Sequence, residues 1–535
     1  MISPLNRRQF LQTSALGMAT ALMPQTLLAQ VTDNTLGKNA ATTGFNPDVE
    51  LEIYAIKTSV PILAGAKTQV SRYVTKLLKG SPDTVQYLGD TYLGNRLNLQ
   101  QGQKVRVHFH NQLDEINIIH WHGMHVPQQS DGHPMYAINS GESYVYEFEV
   151  LNPAGTNFYH THTHGATARQ VYQGLAGMLT VSDAQEKKLN LPHGEYDIPL
   201  VIQDRSFDNQ NQLIYSPTMQ QKMMGFLGET ILINGQVNKE FAVKSRAYRF
   251  RVLNGSNSRI YKLGWEDGTP LTAIGTDGHL LEKPETKPYI MLAPAERVDL
   301  WLDFSDRPVG SQLVLSSLPY QGLMPAMYKM QQGRGRMGMG MMGGTGLGQG
   351  SKFALARFKV TEKVTDSPSL PSQLSTIKRF TDADVDNAHA PIEIGLSMNH
   401  MRPRINGKSF AMDKVMPSEK VALGSHKKIK IFHAHEMGGM GGMGMGGMMN
   451  MAHPIHLHGQ QYQVVSRKNV SMNSRDYDTV KDGLLDKGWK DTVLVMPGEE
   501  VEVIKPFEDY KGLFLYHCHN LEHEDLGMMR QFFVN

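Results

Sequence analysis

Four short stretches repeat histidine at close spacing: His120-Trp121-His122-Gly123, His160-Thr161-His162, His453-Pro454-Ile455-His456-Leu457-His458-Gly459 and His517-Cys518-His519. His523 and Met528 follow Cys518 by five and ten residues. Side chains alternate along a strand, so an HxH pair on a strand points both imidazoles to one face. Two such strands from each of two domains can converge eight imidazoles on one cavity between them. A single HxH is more often a polar strand face than a ligand pair. Here the four clusters with His523 use ten of the chain's 22 histidines beside its only cysteine, and that is metal-ligand patterning. A structural zinc site closes with four ligands, usually rich in cysteine. Ten imidazoles, a thiolate and a thioether exceed that, and their softness and number point to copper.

The last cluster is the most specific. Cys518, His523 and Met528, with His453 from an earlier strand, supply two imidazoles, a thiolate and a weak axial thioether, the donor set of a blue-copper electron-transfer site. His517 and His519 flank Cys518 and must point to the opposite side of the strand. One tripeptide therefore reaches two metal sites, a covalent link from an electron-accepting centre to a buried cluster.

On these motifs the chain resembles the three-domain multicopper oxidases, which include laccases and bacterial cuprous oxidases. Ile405-Asn406-Gly407-Lys408, Gly488-Trp489-Lys490-Asp491-Thr492-Val493 and the run from His517 through Asp525 are similar to those of bacterial copper-efflux oxidases. The resemblance implies four copper ions. Type 1 copper takes His453, Cys518, His523 and axial Met528; type 2 copper takes His120 and His456. The type 3 pair takes His122, His160, His162, His458, His517 and His519. It also implies reduction of dioxygen to water by four single electrons. Relatives that have lost the ligands are non-enzymatic scaffolds; here all twelve ligand positions are filled. Asp131 and Glu524 match acidic positions that the family uses as proton donors, although Ser130-Asp131-Gly132 is also plain turn chemistry. Phe158 stands where the family usually has tryptophan. His164 extends the second HxH, as a supporting or surface group or as an auxiliary copper ligand.

Methionine bears on the substrate. Fourteen of 32 methionines fall in two stretches, Met324, Met327, Met330, Met337, Met339, Met341 and Met342, then Met437, Met440, Met443, Met445, Met448, Met449 and Met451. In a core methionine is a gap-filler, but here it is interleaved with glycine at a density that holds neither a packed helix nor a strand. Thioethers select Cu(I) over hard ions, so the second stretch is a candidate Cu(I) substrate site beside His453. His433, His435 and Glu436 at its start can add ligands for the oxidised ion. The bland alternative is a low-complexity loop.

Strands must position these groups. Residues 104–110, 144–150 and 298–304 alternate with period two, with similar runs at 248–253, 428–432 and 501–505. Helical patterns are scarce, so an all-β chain of Greek-key β-sandwiches is expected, in three domains at 45–185, 196–360 and 378–535, and the resemblance implies that these are cupredoxin-like. The middle domain has no HxH and reads as a spacer or a substrate-side wall. Ile233-Asn234-Gly235, Leu253-Asn254-Gly255 and Ile405-Asn406-Gly407 are faint echoes between units.

Composition sets the remaining bounds. At 535 residues, with 40% hydrophobic and 19% charged, the chain is neither a disordered tail nor a membrane bundle. Without Arg7 and Arg8 its basic and acidic residues balance at 51 each, leaving no electrostatic footprint for nucleic acid. Residues 1–29 read as a twin-arginine signal peptide: Arg7-Arg8, a short apolar stretch and Ala29 as a small residue for cleavage. The expectation is a periplasmic monomer, exported by the twin-arginine machinery and not inserted in the membrane. Three functions follow: a cuprous oxidase for copper tolerance, a laccase-like oxidase of phenols, or a copper-binding protein without turnover. The complete ligand set argues against the third, and only the methionine stretches favour the first over the second.

Overall fold

The computed structural model describes residues 36–323, 347–399, 402–434 and 451–535. The leader at 1–29, the methionines at 324–342 and residues 435–450 lie outside the described residues, and with them His435, Glu436, Met437, Met440, Met443, Met445, Met448 and Met449. The described residues form six sheets, two to each of three β-sandwiches. Each sandwich closes on its own core. Leu51, Val107 and Tyr146 meet Leu97, Tyr159 and Leu179 in the first; Phe250 and Leu300 meet Leu263, Leu315 and Phe358 in the middle one. In the last, Ile431 and Val503 meet Ile455, Tyr516 and Phe532. Among the described residues no helix is long and apolar enough to cross a membrane.

The middle and last sandwiches repeat one topology. The six-stranded sheet of the middle one runs Thr230–Ile233, Asp197–Arg205, Ala247–Asn254, Arg297–Asp303, Leu271–Thr276, His279–Lys287. That of the last runs Arg402–Ile405, Ile392–Asn399, Ser425–His433, Glu499–Phe507, Tyr462–Asn469, Trp489–Lys490. In both, the second and third strands are parallel and all other neighbours antiparallel. Two of the sequence echoes are one turn used twice. Asn234 and Asn406 both have φ 52°, followed by Gly235 at 75° and Gly407 at 68°, the two positive φ values of a tight hairpin. Each asparagine also bridges to the adjacent strand, Asn234 Nδ2 to Pro199 O and Asn406 Nδ2 to Glu393 O, both at 2.8 Å. The third echo differs: Asn254 ends a strand and has no positive φ.

Period two did not always mean one wet face. Lys104–Asn111 alternates buried with half-buried or exposed residues, whereas Ala247–Asn254 is buried throughout and Arg297–Asp303 nearly so. The polar face of the latter two strands meets the first sandwich. Thr156 Oγ1 donates to Asp299 Oδ1 at 2.6 Å, Arg251 Nη1 donates to Thr156 Oγ1 at 3.0 Å, and Arg249 Nη2 pairs with Asp299 Oδ2 at 2.5 Å. Charged residues on a strand face are compatible with burial when each finds a partner.

Candidate metal centre

The histidines of the first sandwich come from two paired strands. Ile119–His122 lies antiparallel to Gly155–Thr161 with His120 opposite His160 and His122 opposite Phe158. Trp121, between the two imidazoles, faces the other way into the core against Tyr146, Phe148 and Tyr159. In the last sandwich His453–Leu457 pairs with Gly512–Cys518, His456 opposite His517 and Ile455 opposite Cys518. Alternation thus sends His456 and His517 toward the first sandwich, while Ile455, Leu457 and Cys518 join the core.

At the junction the imidazole nitrogens converge. His120 Nε2 lies 3.4 Å from His456 Nε2, and His517 Nε2 lies 3.3 Å from His162 Nε2 and 3.2 Å from His458 Nε2. Two imidazoles held at the zinc–nitrogen distance around one ion place their nitrogens about 3.3 Å apart. Donor atoms within 4.8 Å of one another form the groups His120–His456–His458, His120–His122–His160 and His162–His458–His517. His519 completes the cluster, its ring 5.1 Å from His122 and 5.2 Å from His160.

The hydrogen bonds fix which nitrogen faces inward. Nδ1–H of His120 donates to Asp131 O, of His456 to Asp491 O, of His160 to Thr161 O, of His517 to Cys518 O and of His458 to Asp131 Oδ2. Each leaves Nε2 with its lone pair toward the cluster. His122 is reversed: Nε2 donates to Asp491 Oδ1 at 3.0 Å, and its buried Nδ1 has no partner. His160 Nε2 and both nitrogens of His519 are likewise buried without a hydrogen bond. Burial, then neighbouring imidazoles, holds His120, His122, His162, His458 and His519 far below the ordinary imidazole range, neutral and available as ligands. Such orphaned nitrogens fit a resident cation.

A second group lies on the far side of the Cys518 strand. His453 Nδ1 is 3.4 Å and His523 Nδ1 3.5 Å from Cys518 Sγ, all three buried. Burial pushes the thiol far up and moves His523 down to about 4, so a thiolate here needs a cation beside it. Met528 is fully buried in the same core cluster, its backbone bonded to both Cys518 and His523. A thiolate, two imidazoles and a nearby thioether suit copper.

Asp131 and Glu524 both reach the histidine cluster. Asp131 is wholly buried and orients two imidazoles at once; Glu524 lies 3.2 Å from His517 Nδ1 and 3.8 Å from His162 Nδ1, with neither oxygen hydrogen-bonded. Burial pushes both carboxyls well above their usual range. Asp131 is a turn residue as well: it caps a 3-10 turn at Gln128–Ser130, before Gly132, whose φ of 87° and contact with Ile119 O admit no side chain. His164 is exposed, packs its ring 5.0 Å from Phe410 and belongs to none of the donor groups. Phe158 stacks on His122 and His160, filling the aromatic role expected there. Sequence reasoning gave no role to Asp491 or Arg297, which lock His122. Asp491 lies inside the run from Gly488 to Val493; nothing local marks Arg297.

Two family models described as multicopper oxidase match residues 69–186 and 426–535. The chain is 30% identical over 460 residues to the multicopper oxidase mco of Staphylococcus aureus, with 85% of each chain covered. It is 31% identical over 455 residues to a laccase of Bacillus stratosphericus, covering 79% of this chain and 81% of that one. The solved McoA multicopper oxidase of Aquifex aeolicus matches with a TM-score of 0.73 at 31% identity, covering 92% of this chain and 97% of that one. The chain belongs to the multicopper oxidase family. It is accordingly a copper-dependent oxidoreductase with dioxygen as electron acceptor, built from three cupredoxin-like sandwiches.

Proposed function

We propose that the protein oxidises Cu(I) to Cu(II) in the periplasm, for copper tolerance, after export by its twin-arginine leader. The proposed cofactors are a type 1 copper on His453, Cys518, His523 and Met528, a type 2 copper on His120 and His456, and a type 3 pair on His122, His160, His162, His458, His517 and His519. Copper bound at these positions supplies the one-electron redox chemistry that couples a donor to dioxygen. The chain's own residues do the rest. Cys518 joins the two sites through the backbone of its flanking histidines, while the Asp131 carboxyl, through the Oδ1 that accepts no hydrogen bond, and the Glu524 carboxyl hold protons beside the oxygen-reducing cluster.

One observation carries the Cu(I) proposal: the first methionine stretch begins, and the second both begins and ends, beside His453. Ala452 N, just after the second stretch, donates to Leu323 O, just before the first, at 3.3 Å. His433 Nε2 donates to Met451 O at 2.8 Å, closing the second stretch at its base, and its ring lies 5.6 Å from that of His453. The other type 1 imidazole is closed to donors. His523 is fully buried, and its Nε2 donates to Met223 O at 2.8 Å from the helix Met219–Met224. His453, the imidazole left for donors, is thus the one beside which the thioether stretches join the described chain.

A laccase-like oxidation of phenols is the second reading, favoured by the laccase name of the Bacillus stratosphericus relative. Oxygen consumption driven by Cu(I) and by a phenol, on one copper-loaded preparation, decides. Faster turnover at micromolar Cu(I) than at millimolar phenol supports the proposal; the reverse replaces it with the laccase reading.

A further inference from the structure

The middle sandwich supplies no histidine to the cluster, yet it walls a cavity that opens onto two of them. The cavity measures ≈ 20 Å³ and is lined by Leu93, Phe158, Met178, Val201 and Leu253, with His160 and His519 also in its wall. All three sandwiches contribute to it. It exists in part because Gly255 has no side chain, since a Cβ there would stand 3.1 Å from Val201 Cγ1.

Its volume admits about one small molecule. Polar side chains on its wall are already engaged elsewhere. Gln203 Oε1 accepts from Tyr92 OH at 2.6 Å and its Nε2 donates to Gly255 O at 3.2 Å. Asn254 Nδ2 donates to Arg259 O and Leu292 O at 2.8 and 2.9 Å, and Ser256 Oγ bonds Tyr261 OH at 2.8 Å. A water needs two to four polar partners to stay in such a place, whereas apolar cavities stay dry and take up apolar guests such as xenon. The unsatisfied polar atoms at its margin, His160 Nε2 and the two His519 nitrogens, belong to the proposed copper ligands.

We propose that this cavity is a docking site for dioxygen, an uncharged apolar diatomic, immediately before the His160–His519 side of the cluster. The middle sandwich then has a definite role, because Val201 and Leu253 keep the approach dry. The proposal rests on the assignment of His160 and His519 to copper, and is independent of whether Cu(I) or a phenol supplies the electrons.

Xenon is the probe, applied under pressure to crystals of the copper-loaded protein, where the metal positions are filled. Xenon density between Val201, Leu253 and Met178 is expected. Val201→Ile, which adds one methylene, should remove that density and raise the KM for oxygen at least about three-fold with kcat kept. Val201→Ala, which enlarges the void, should raise xenon occupancy and leave the KM for oxygen unchanged or lower. No xenon in the parent, an ordered water in its place, or loss of xenon in Val201→Ile at an unchanged oxygen KM would each overturn the proposal. Failure of the Cu(I) proposal changes donor-side kinetics alone, leaving xenon density and the oxygen KM as they were. Copper absent from His160 and His519 in the same crystals would instead remove the assignment beneath it.

Discussion

Arg297 and Asp491 form a forked ion pair at 2.7 and 2.6 Å with both side chains fully buried. The same carboxylate accepts from His122 Nε2 at 3.0 Å. Arg297 comes from the middle sandwich, Asp491 from the last and His122 from the first, so three sandwiches meet on one carboxylate. Burial pushes the Asp491 carboxyl up, but the Arg297 guanidinium and then His122 more than reverse this and hold it well below the usual range.

Removing one partner of such a pair leaves the other charged and buried. Asp491→Asn should therefore destabilise the copper-free protein by about 3–5 kcal/mol in urea unfolding. Arg297→Lys keeps the charge but loses the fork, and should fall between parent and Asp491→Asn. Parental stability in Asp491→Asn would show that the pair does not hold the sandwiches together.

Cys518 stands between the two donor groups, so its sulfur can be tested separately from its backbone. Cys518→Ser removes the thiolate that two imidazoles face at 3.4 and 3.5 Å, and with it the blue absorption and oxidase turnover. Copper bound at the histidine cluster should persist, since none of its ligands is changed. Metal analysis and optical spectra check both halves; retained colour with turnover would sink the type 1 assignment.

How much of this was written locally follows from what each interaction depends on. HxH spacing on strands needs only side-chain alternation, so the convergence of His120, His456 and His517 was legible from the sequence. The sandwich class was legible for the same reason. The burial of Arg249, Arg251 and Asp299 was not, because alternation marks a polar face without saying whether water or another sandwich covers it. Arg297 was invisible for a related reason: it contacts Asp491 across 194 positions of sequence. Met223 likewise sits in a helix with no metal-binding pattern, and it acts on His523 through a backbone oxygen that carries no side-chain signature.

Asp131 and Glu524 differ in one respect that kinetics can expose. The Asp131 side chain also orients His458, whereas neither oxygen of Glu524 is hydrogen-bonded. An amide keeps the shape of the acid but has no carboxylic proton to give. Glu524→Gln should leave copper content and donor-side reduction intact while slowing reoxidation by dioxygen. Asp131→Asn should slow reoxidation too and also weaken copper retention on dialysis. Stopped-flow reoxidation at parental speed in both variants would take these residues out of the reaction.

The contact between the first and last sandwiches contains a histidine that should make stability depend on pH. His125 Nε2 lies 3.0 Å from Asp509 Oδ2, and burial moves the imidazole down to about 4 despite that neighbour. An unfolded histidine titrates at about 6.5. Between these values the unfolded chain binds a proton that the folded one does not, so stability falls as pH drops from about 6.5 to 4. The effect of this group reaches at most about 3 kcal/mol. Replacement by glutamine should flatten that part of the profile; an unchanged slope in His125→Gln would assign it to other groups.

The choice between Cu(I) and phenols turns on the stretch that precedes His453. Replacing residues 437–448 by a brief Gly-Ser turn removes five of its seven thioethers and alters none of the twelve proposed copper ligands. If thioethers collect Cu(I) before it reaches His453, oxidation should fall at low Cu(I), mainly through a raised KM, because binding groups and not the electron-transfer centre were lost. Phenol oxidation should hold, and should rise if the stretch obstructs the His453 edge, while Met223 still closes that of His523. Added Cu(II) should stimulate phenol oxidation in the parent, by occupying the stretch and relaying electrons to His453, and less so in the shortened protein. Loss of phenol turnover with unchanged Cu(I) kinetics would mean that the stretch shapes a pocket for organic donors, and the laccase reading would then stand.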